Sequence, residues 1–105
     1  MLNRHTIASL AAQADGPVTI GGWVETLRDQ KRIQFIIIRD ESGSVQVTYP
    51  RPADEDALAD QVSSLSNGSF VEITGNLKHD ERVKLGGIEI LLTGMKIVSL
   101  APEVL

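Results

Sequence analysis

The sequence predicts a mainly β fold, a small closed barrel of five strands with one helix between the third and fourth strands and a short helix ahead of the first. Three observations predict it. Residues 18–49 divide into three short apolar stretches separated by polar turns, as expected of consecutive antiparallel strands. A segment with helical spacing follows two prolines. Two further stretches with apolar residues at alternate positions then close the chain.

A short amphipathic helix is expected ahead of the barrel. Thr6 can cap its start, because a threonine hydroxyl accepts from the free amides of a first helical turn. The apolar residues that follow at helical spacing are Ile7, Leu10, Ala11 and Ala14. Gly16-Pro17 should end the helix, since glycine suits a left-handed cap and proline cannot continue the helix. The apolar side would then lie against the barrel.

The first predicted strand is Val18 to about Leu27. Gly21-Gly22 interrupts its alternation, and glycine inside a strand marks a bulge or a sharp coil. Small barrels need such bends in order to close. A polar turn at residues 28–31 leads into the second strand, from about Arg32 to Asp40.

The second strand is apolar on both faces, whereas the third alternates cleanly. A strand of the first kind is either buried on both faces or carries an apolar residue on a working surface. On the second strand the faces consist of Ile33, Phe35 and Ile37, and of Ile36 and Ile38. On the third, Ser44–Tyr49, they consist of Val45, Val47 and Tyr49, and of Gln46 and Thr48.

The second half of the chain completes the barrel. A helix, about Asp54–Ser66, follows the prolines, with Leu58, Val62 and Leu65 as its apolar stripe and Asn67-Gly68 as its expected cap. The fourth strand is Phe70–Leu77, and the fifth runs from about Gly87 to Val98 with a kink at Gly94. This element order is that of the OB-fold, a Greek-key barrel. We expect one such domain over residues 1–105, with the barrel at about residues 17–99.

Composition limits the function. The sequence contains no cysteine, which excludes disulfides and thiolate chemistry, and no run approaches the roughly 20 apolar residues of a membrane helix. A cytoplasmic location without a membrane partner is expected. The net charge of −4 argues against extensive nucleic-acid binding. Four acids cluster at residues 54–60, however, and Arg28–Arg39 is locally basic, so a module with a few phosphate contacts fits the sequence.

No catalytic, metal or cofactor site is predicted. His5 and His79 each lie among polar residues, where a solvated side chain is the simpler interpretation. The run Asp54-Glu55-Asp56 suits the first turn of a helix, because the dipole favours negative charge there. Gly86-Gly87 lacks the lysine and spacing of a phosphate-binding loop.

Three side chains are candidates for contacts with nucleic-acid bases. Phe35, one of four aromatic residues, can stack on a base if it is exposed, although a mid-strand phenylalanine is more often part of the core. Gln46 offers an acceptor and two donors to a base edge, and Glu89 offers a carboxylate. Both are also ordinary residues of a solvated strand face. The basic residues of the first turn that could contact phosphates are Arg28, Lys31 and Arg32.

The run GGWVETLRDQKRIQFIIIRDESGSVQV resembles a pattern of the N-terminal anticodon-binding domain of aspartyl-tRNA synthetase, which asparaginyl- and, more distantly, lysyl-tRNA synthetases share. Arg4-His5 is similar to the lead-in of that domain. VKLGGIEILLTGMKIVSL resembles its closing strand in the archaeal-type aspartyl enzymes. The tail from Ala101 departs from the family's hinge pattern, and the chain holds none of the family's catalytic domain.

The resemblance implies a role for four residues. The family's aromatic on the second strand stacks on an anticodon base and matches Phe35. Its strand-three glutamine, which reads the central uridine, matches Gln46. The arginine of its first turn contacts the anticodon and matches Arg28, and the glutamate that helps to recognise the first anticodon base matches Glu89.

The sequence therefore predicts a module that binds the anticodon stem-loop of tRNA-Asp or tRNA-Asn. It would be the N-terminal domain of an aspartyl-type synthetase or a stand-alone paralogue. Its protein partner could be a catalytic synthetase domain, another protein or a second copy of the chain. The alternative is an OB-fold protein-interaction module that no longer binds RNA, which the acidic balance favours. Few aromatic residues and negative net charge disfavour a general single-strand DNA binder.

Overall fold

The computed structural model describes residues 5–100. Its elements are a 3-10 helix (Ile7–Ala12), β1 (Gly16–Asp29), β2 (Ile33–Asp40), β3 (Gly43–Pro50), α1 (Ala57–Ser63), β4 (Phe70–His79) and β5 (Ile88–Ser99). The strands form a closed barrel in the order β1-β2-β3-β5-β4, with β4 pairing back onto β1. This confirms the OB-fold and its helix between β3 and β4. The lead-in at Arg4 and the tail from Ala101 lie outside the described residues.

β1 serves two neighbours and bends between them. Its first half pairs with β4 and its second half with β2, and Trp23 pairs with both. At the bend, a Cβ on Gly22 would lie 2.6 Å from the backbone oxygen of Arg39, so only glycine permits this approach. The bulge expected at Gly21-Gly22 is displaced, because the register shift falls between Val24 and Thr26.

The core lies inside the barrel, where alternate residues of all five strands meet. The two helices cover its openings with apolar side chains. The buried apolar residues that form one cluster are Ile7, Leu10, Val18, Ile20, Val24, Ile36, Ile38, Val45, Val47, Val62, Leu65, Val71, Ile73, Leu77, Ile88, Ile90 and Leu92. Leu58 and Tyr49 pack against this cluster while remaining partly exposed. Val45 and Val47 of the apolar face of β3 thus lie in the core, with Tyr49 at its rim.

The N-terminal helix lies against the barrel as expected, but it is a short 3-10 helix. A three-residue turn brings Ile7 and Leu10 onto one side, where both are buried. The predicted cap is wrong, because the Thr6 side chain makes no capping hydrogen bond. The amide of Ile7 instead donates to Asp40 Oδ2 at 2.9 Å, across the barrel mouth. The predicted end is also wrong, since Gly16 already begins β1.

Helix α1 is shorter than the sequence predicts. Asp56 caps it by accepting from the amide of Ala59 at 2.9 Å, so the two preceding acids lie before the helix. Its C-cap is Ser64, and Gly68 instead serves a later turn at φ +91°, where its amide donates to Val24. None of the helices within residues 5–100 has both the length and the hydropathy needed to cross a membrane.

Candidate nucleic-acid interface

A shallow groove of about 350 Å³ crosses the outer surface of β1, β2 and β3. Its lining residues are Thr26, Arg28, Phe35, Ile37 and Gln46. Phe35 is half-buried and Arg28 is exposed, so the phenylalanine ring belongs to the surface rather than to the core. Three of the predicted site residues, Arg28, Phe35 and Gln46, therefore share one concavity.

Strand register explains this convergence. Gln34, Ile36 and Ile38 are buried inside the barrel, which turns Phe35 outward on the alternating strand. Arg28 lies directly opposite Phe35 in the β1–β2 pairing. The β2–β3 pairing extends the row by placing Thr48 beside Phe35 and Gln46 beside the next outward residue of β2. Residues from three strands thus form one continuous outer face.

Glu89 reaches this face from β5 through the parallel pairing that closes the barrel. It is the direct partner of Gln46 in that pairing. Thr48 Oγ1 donates to Glu89 Oε2 at 3.0 Å, and Gln46 Nε2 donates to the same oxygen at 3.4 Å and to Thr48 Oγ1 at 3.2 Å. We call Gln46, Thr48 and Glu89 the polar triad. Thr48, which the sequence places outward, is buried within it.

The polar triad fixes the direction of the Gln46 amide. An ionised carboxylate only accepts hydrogen bonds, so the amide NH₂ must face Glu89 and the carbonyl oxygen must face away. Within residues 5–100, neither that carbonyl oxygen nor Glu89 Oε1 forms a hydrogen bond. Both free atoms are acceptors. The site therefore suits a ligand edge that presents N–H donors.

The buried amide of Gln34, which no sequence motif marks, anchors the end of β1, where Arg28 lies within the strand and not in the turn expected from the sequence. The two N–H groups of Gln34 Nε2 are shared among three acceptors, Asp29 Oδ1 at 3.0 Å, the backbone oxygen of Ala59 at 3.0 Å and Ser63 Oγ at 3.1 Å. These bonds tie the β1–β2 turn to α1. Hydrogen bonds from the Ser63 hydroxyl and from Gln34 also lower the pKa of Asp29 below its usual value. The sequence signal for this role is the position of Gln34, two residues before Ile36 on the same face of β2, because a polar side chain on a buried face must find hydrogen-bond partners.

Lys31 and Arg32 do not line the groove. Both are exposed in the β1–β2 turn and border a second concavity of about 710 Å³. Its acidic lining residues are Asp54, Glu55, Asp56 and Asp60. The acidic segment thus faces Lys31 and Arg32 and reduces the positive electrostatic potential around them. Lys31 and Arg32 form no ion pair with any residue of the described range.

The histidines lie away from the groove. The His79 ring is exposed but not simply solvated, because its Nδ1 lies 2.5 Å from Asp15 Oδ1. This hydrogen bond raises the pKa of His79 and lowers that of Asp15. His5 is half-buried, and its buried Nδ1 has no hydrogen-bond partner among residues 5–100. Residues 5–100 contain no group of three acidic or histidine side chains suited to a metal.

Replacing Thr48 by valine should lower the free energy of unfolding by about 1 kcal/mol, because one hydroxyl serves two partners and its loss leaves Glu89 short of a donor. Urea denaturation measures the change. Thr48→Ser keeps the hydroxyl and is the matched control. A valine variant as stable as the wild type, beside a less stable serine variant, would show that the methyl group and not the hydroxyl matters at this site.

Comparison with known proteins agrees with this geometry. Residues 18–98 match the tRNA anti-codon family, described as an OB-fold nucleic acid binding domain. Asparagine–tRNA ligase of Chloroflexus aurantiacus is 32% identical over 104 residues, which cover 98% of this chain and 23% of that protein. Aspartate–tRNA(Asp/Asn) ligase of Methanopyrus kandleri is 29% identical over 100 residues, covering 94% of this chain and 23% of that protein.

A solved structure shows the same architecture. Asparaginyl-tRNA synthetase from Pyrococcus horikoshii, complexed with asparaginyl-adenylate, superposes with a TM-score of 0.86 at 26% identity, covering 99% of this chain and 24% of that one. The chain thus spans about a quarter of the length of these three proteins. The resemblance to aspartyl- and asparaginyl-tRNA synthetases is confirmed. The chain belongs to the tRNA anticodon family of OB-fold nucleic acid binding domains.

Proposed function

We propose that this domain recognises the anticodon loop of tRNA-Asp or tRNA-Asn through the outer face of β1, β2, β3 and β5. One observation carries the proposal. Arg28, Phe35, Gln46 and Glu89 lie on four different strands, yet the strand pairings bring them onto one face. Family membership supports nucleic acid as the ligand, and the names of the relatives supply the tRNA identities.

The chemistry of the face divides the work among its residues. Phe35 offers an apolar ring on which an unpaired base stacks. The free oxygens of Gln46 and Glu89 accept from the imino and amino groups of base edges. Arg28, directly opposite Phe35, supplies a cation for a phosphate or for the face of the same base. Discrimination between bases would then come from the polar triad, and affinity from stacking and charge.

Each of these two ligases extends well beyond the part that it shares with this chain, which covers about a quarter of its length. We propose that a catalytic synthetase domain works with this domain, in one polypeptide or as a separate partner. The same proposal includes a homodimer. It also includes a cytoplasmic location, which the lack of cysteine favours.

The direct test is titration of a labelled anticodon stem-loop of tRNA-Asp or tRNA-Asn with this protein. Specific binding should exceed binding to a stem-loop with a scrambled loop, because loop bases are read one by one. The titration is done between about 50 and 200 mM salt, where phosphate contacts are resolved by their salt dependence. Equal affinity for the cognate and scrambled loops, or no binding to either, would contradict the proposal and leave the protein-interaction alternative.

Replacing Lys31 by alanine should weaken binding to every RNA sequence by a similar factor. A lysine that neutralises one phosphate releases about one counterion, so the slope of log K against log salt should become shallower by about 1. Affinities at four salt concentrations measure that slope. Lys96→Ala is the control, because Lys96 is exposed on β5 opposite Glu72 of β4 and lines neither the groove nor the acidic concavity. An unchanged slope for the Lys31 variant would remove Lys31 from the interface.

A further inference from the structure

The outer face that holds Phe35 continues along the β1–β2 pair to a second aromatic side chain. In that pairing, Arg28 lies opposite Phe35, and Trp23 lies opposite Arg39. The intervening outer-face pair, Thr26 and Ile37, is uncharged. The row therefore has an aromatic ring beside an arginine at each end and an uncharged centre.

Trp23 is unusually exposed for its type. Its side chain is 44% exposed. The other large hydrophobic residues that are exposed within residues 5–100, Val98 and Leu100, are aliphatic and lie at and just after the end of β5. Its ring meets Phe70 edge-on, with centroids 5.0 Å apart and planes at 82°. Concave surface borders Trp23 on its sides toward Ser44 and toward Gly68. A half-exposed indole held by an edge contact is a fixed stacking surface of the kind that single-stranded nucleic acid uses.

Arg39 stands beside this ring without a fixed partner. It is exposed and lines the same two concave surfaces as Trp23. It forms no ion pair with any described residue. A planar guanidinium next to an indole can cover or extend the face of a stacked base.

Charge decides which part of a nucleotide suits this position. Glu25 and Glu41 are exposed on the concave surfaces beside Trp23 and Asp40 lies with them, so carboxylates outnumber the single arginine. A phosphate would be repelled there. A neutral base would not be repelled, and the carboxylates can accept hydrogen bonds from its amino groups.

We propose that Trp23 and Arg39 form a second base-stacking platform, which takes an unpaired nucleotide of the same RNA loop other than the one on Phe35. The inference rests on the proposed function. Arg39 lies four positions after Phe35 on β2, a span of about 13 Å at 3.3 Å per residue. An OB-fold commonly contacts 4 or more nucleotides, so one loop can reach both platforms.

The chain carries its own probe, since Trp23 is the single tryptophan in the sequence. Intrinsic fluorescence is followed while the wild-type protein is titrated with the anticodon stem-loop of tRNA-Asp. Anisotropy of a labelled copy of the same RNA measures affinity independently. We expect the tryptophan emission to change with the same midpoint as the anisotropy. Emission that stays constant to saturation would overturn the second platform.

Stem-loops with one loop base removed at a time then locate the nucleotide. Trp23→Leu should weaken binding of the intact loop by about 5- to 150-fold, the range for one stacked base, whereas Trp23→Phe should bind nearly as the wild type does. Removal of one particular base should cost the wild type affinity but cost Trp23→Leu nothing further. Phe35→Ala should be insensitive to removal of a different base.

The outcomes separate this inference from the proposed function. If the wild type binds neither the tRNA-Asp nor the tRNA-Asn stem-loop, the proposed function and the second platform are both wrong. If Phe35→Ala loses affinity while Trp23→Leu binds as the wild type does, the proposed function stands and the second platform is wrong. The platform is also wrong if both variants become insensitive to the same base. Thermal melting establishes that each variant is folded. If Trp23→Leu is unfolded, the fluorescence titration of the wild type decides whether Trp23 contacts the RNA.

Discussion

Replacing Phe35 by alanine is expected to weaken binding of the anticodon stem-loop by about 1–3 kcal/mol, or about 5- to 150-fold in Kd. The ring is half-buried in the groove with Arg28 opposite it, so its removal takes away the surface on which a base stacks. Barrel stability should change less than affinity, because the side chain lies outside the core cluster. Anisotropy titration at fixed salt measures the loss.

Ile33→Ala is the matched control for Phe35. Ile33 lies two residues earlier on the same outer face of β2 and is similarly half-buried, but it does not line the groove. Its truncation should leave Kd within about twofold of the wild type, since it removes no stacking surface. Equal losses for the two variants would mean that the groove is only sensitive to general changes in β2, and the stacking role of Phe35 would be withdrawn.

Replacing Gly75 by alanine should destabilise the barrel by about 3 kcal/mol or more. A Cβ there would overlap the backbone oxygen of Leu91 and lie 2.5 Å from Ile90 Cγ2. Neither backbone nor a packed core side chain can yield at low cost. The midpoint of urea unfolding should therefore fall sharply while its slope is unchanged.

Gly94→Ala provides a control of the opposite sign. Gly94 pairs with Thr74, beside Gly75, yet a Cβ at Gly94 would meet nothing within 4 Å. Alanine there should be neutral or stabilising by up to about 1 kcal/mol, because it restricts the unfolded chain more than the folded one. Similar destabilisation by both substitutions would show that the β4–β5 pair tolerates no side chain there, and that close approach at Gly75 is not the cause.

The outward direction of Gln46 could be predicted from the sequence because it depends on local alternation. Alternation did not decide the direction of Phe35, since β2 is apolar on both faces, and only the family resemblance implied an exposed ring there. The order of helices and strands along the chain followed from the spacing of apolar residues in the same way. The kink expected near Gly94 corresponds to a register shift beside it, between Thr74 and Gly75. These features are each decided by residues close together in the chain.

Features that depend on distant contacts were not predictable. The amide of Ile7 is capped by Asp40, 33 residues away, which no local capping pattern reveals. Lys31 is close in sequence to Arg28, but the turn directs it toward the acidic concavity. The hydrogen bonds of Thr48 require the β3–β5 pairing, which forms only when the barrel closes.

The pairing that closes the barrel is also its shortest ladder. Its partners are Gln46 with Glu89, Val47 with Ile90, and Thr48 with Leu91. Short ladders open first in local fluctuations, and opening this one would separate Gln46 from Glu89. A base bound across the two residues would therefore hold the barrel shut, so RNA binding should slow amide hydrogen exchange in β3 and β5 more than in the β1–β4 ladder.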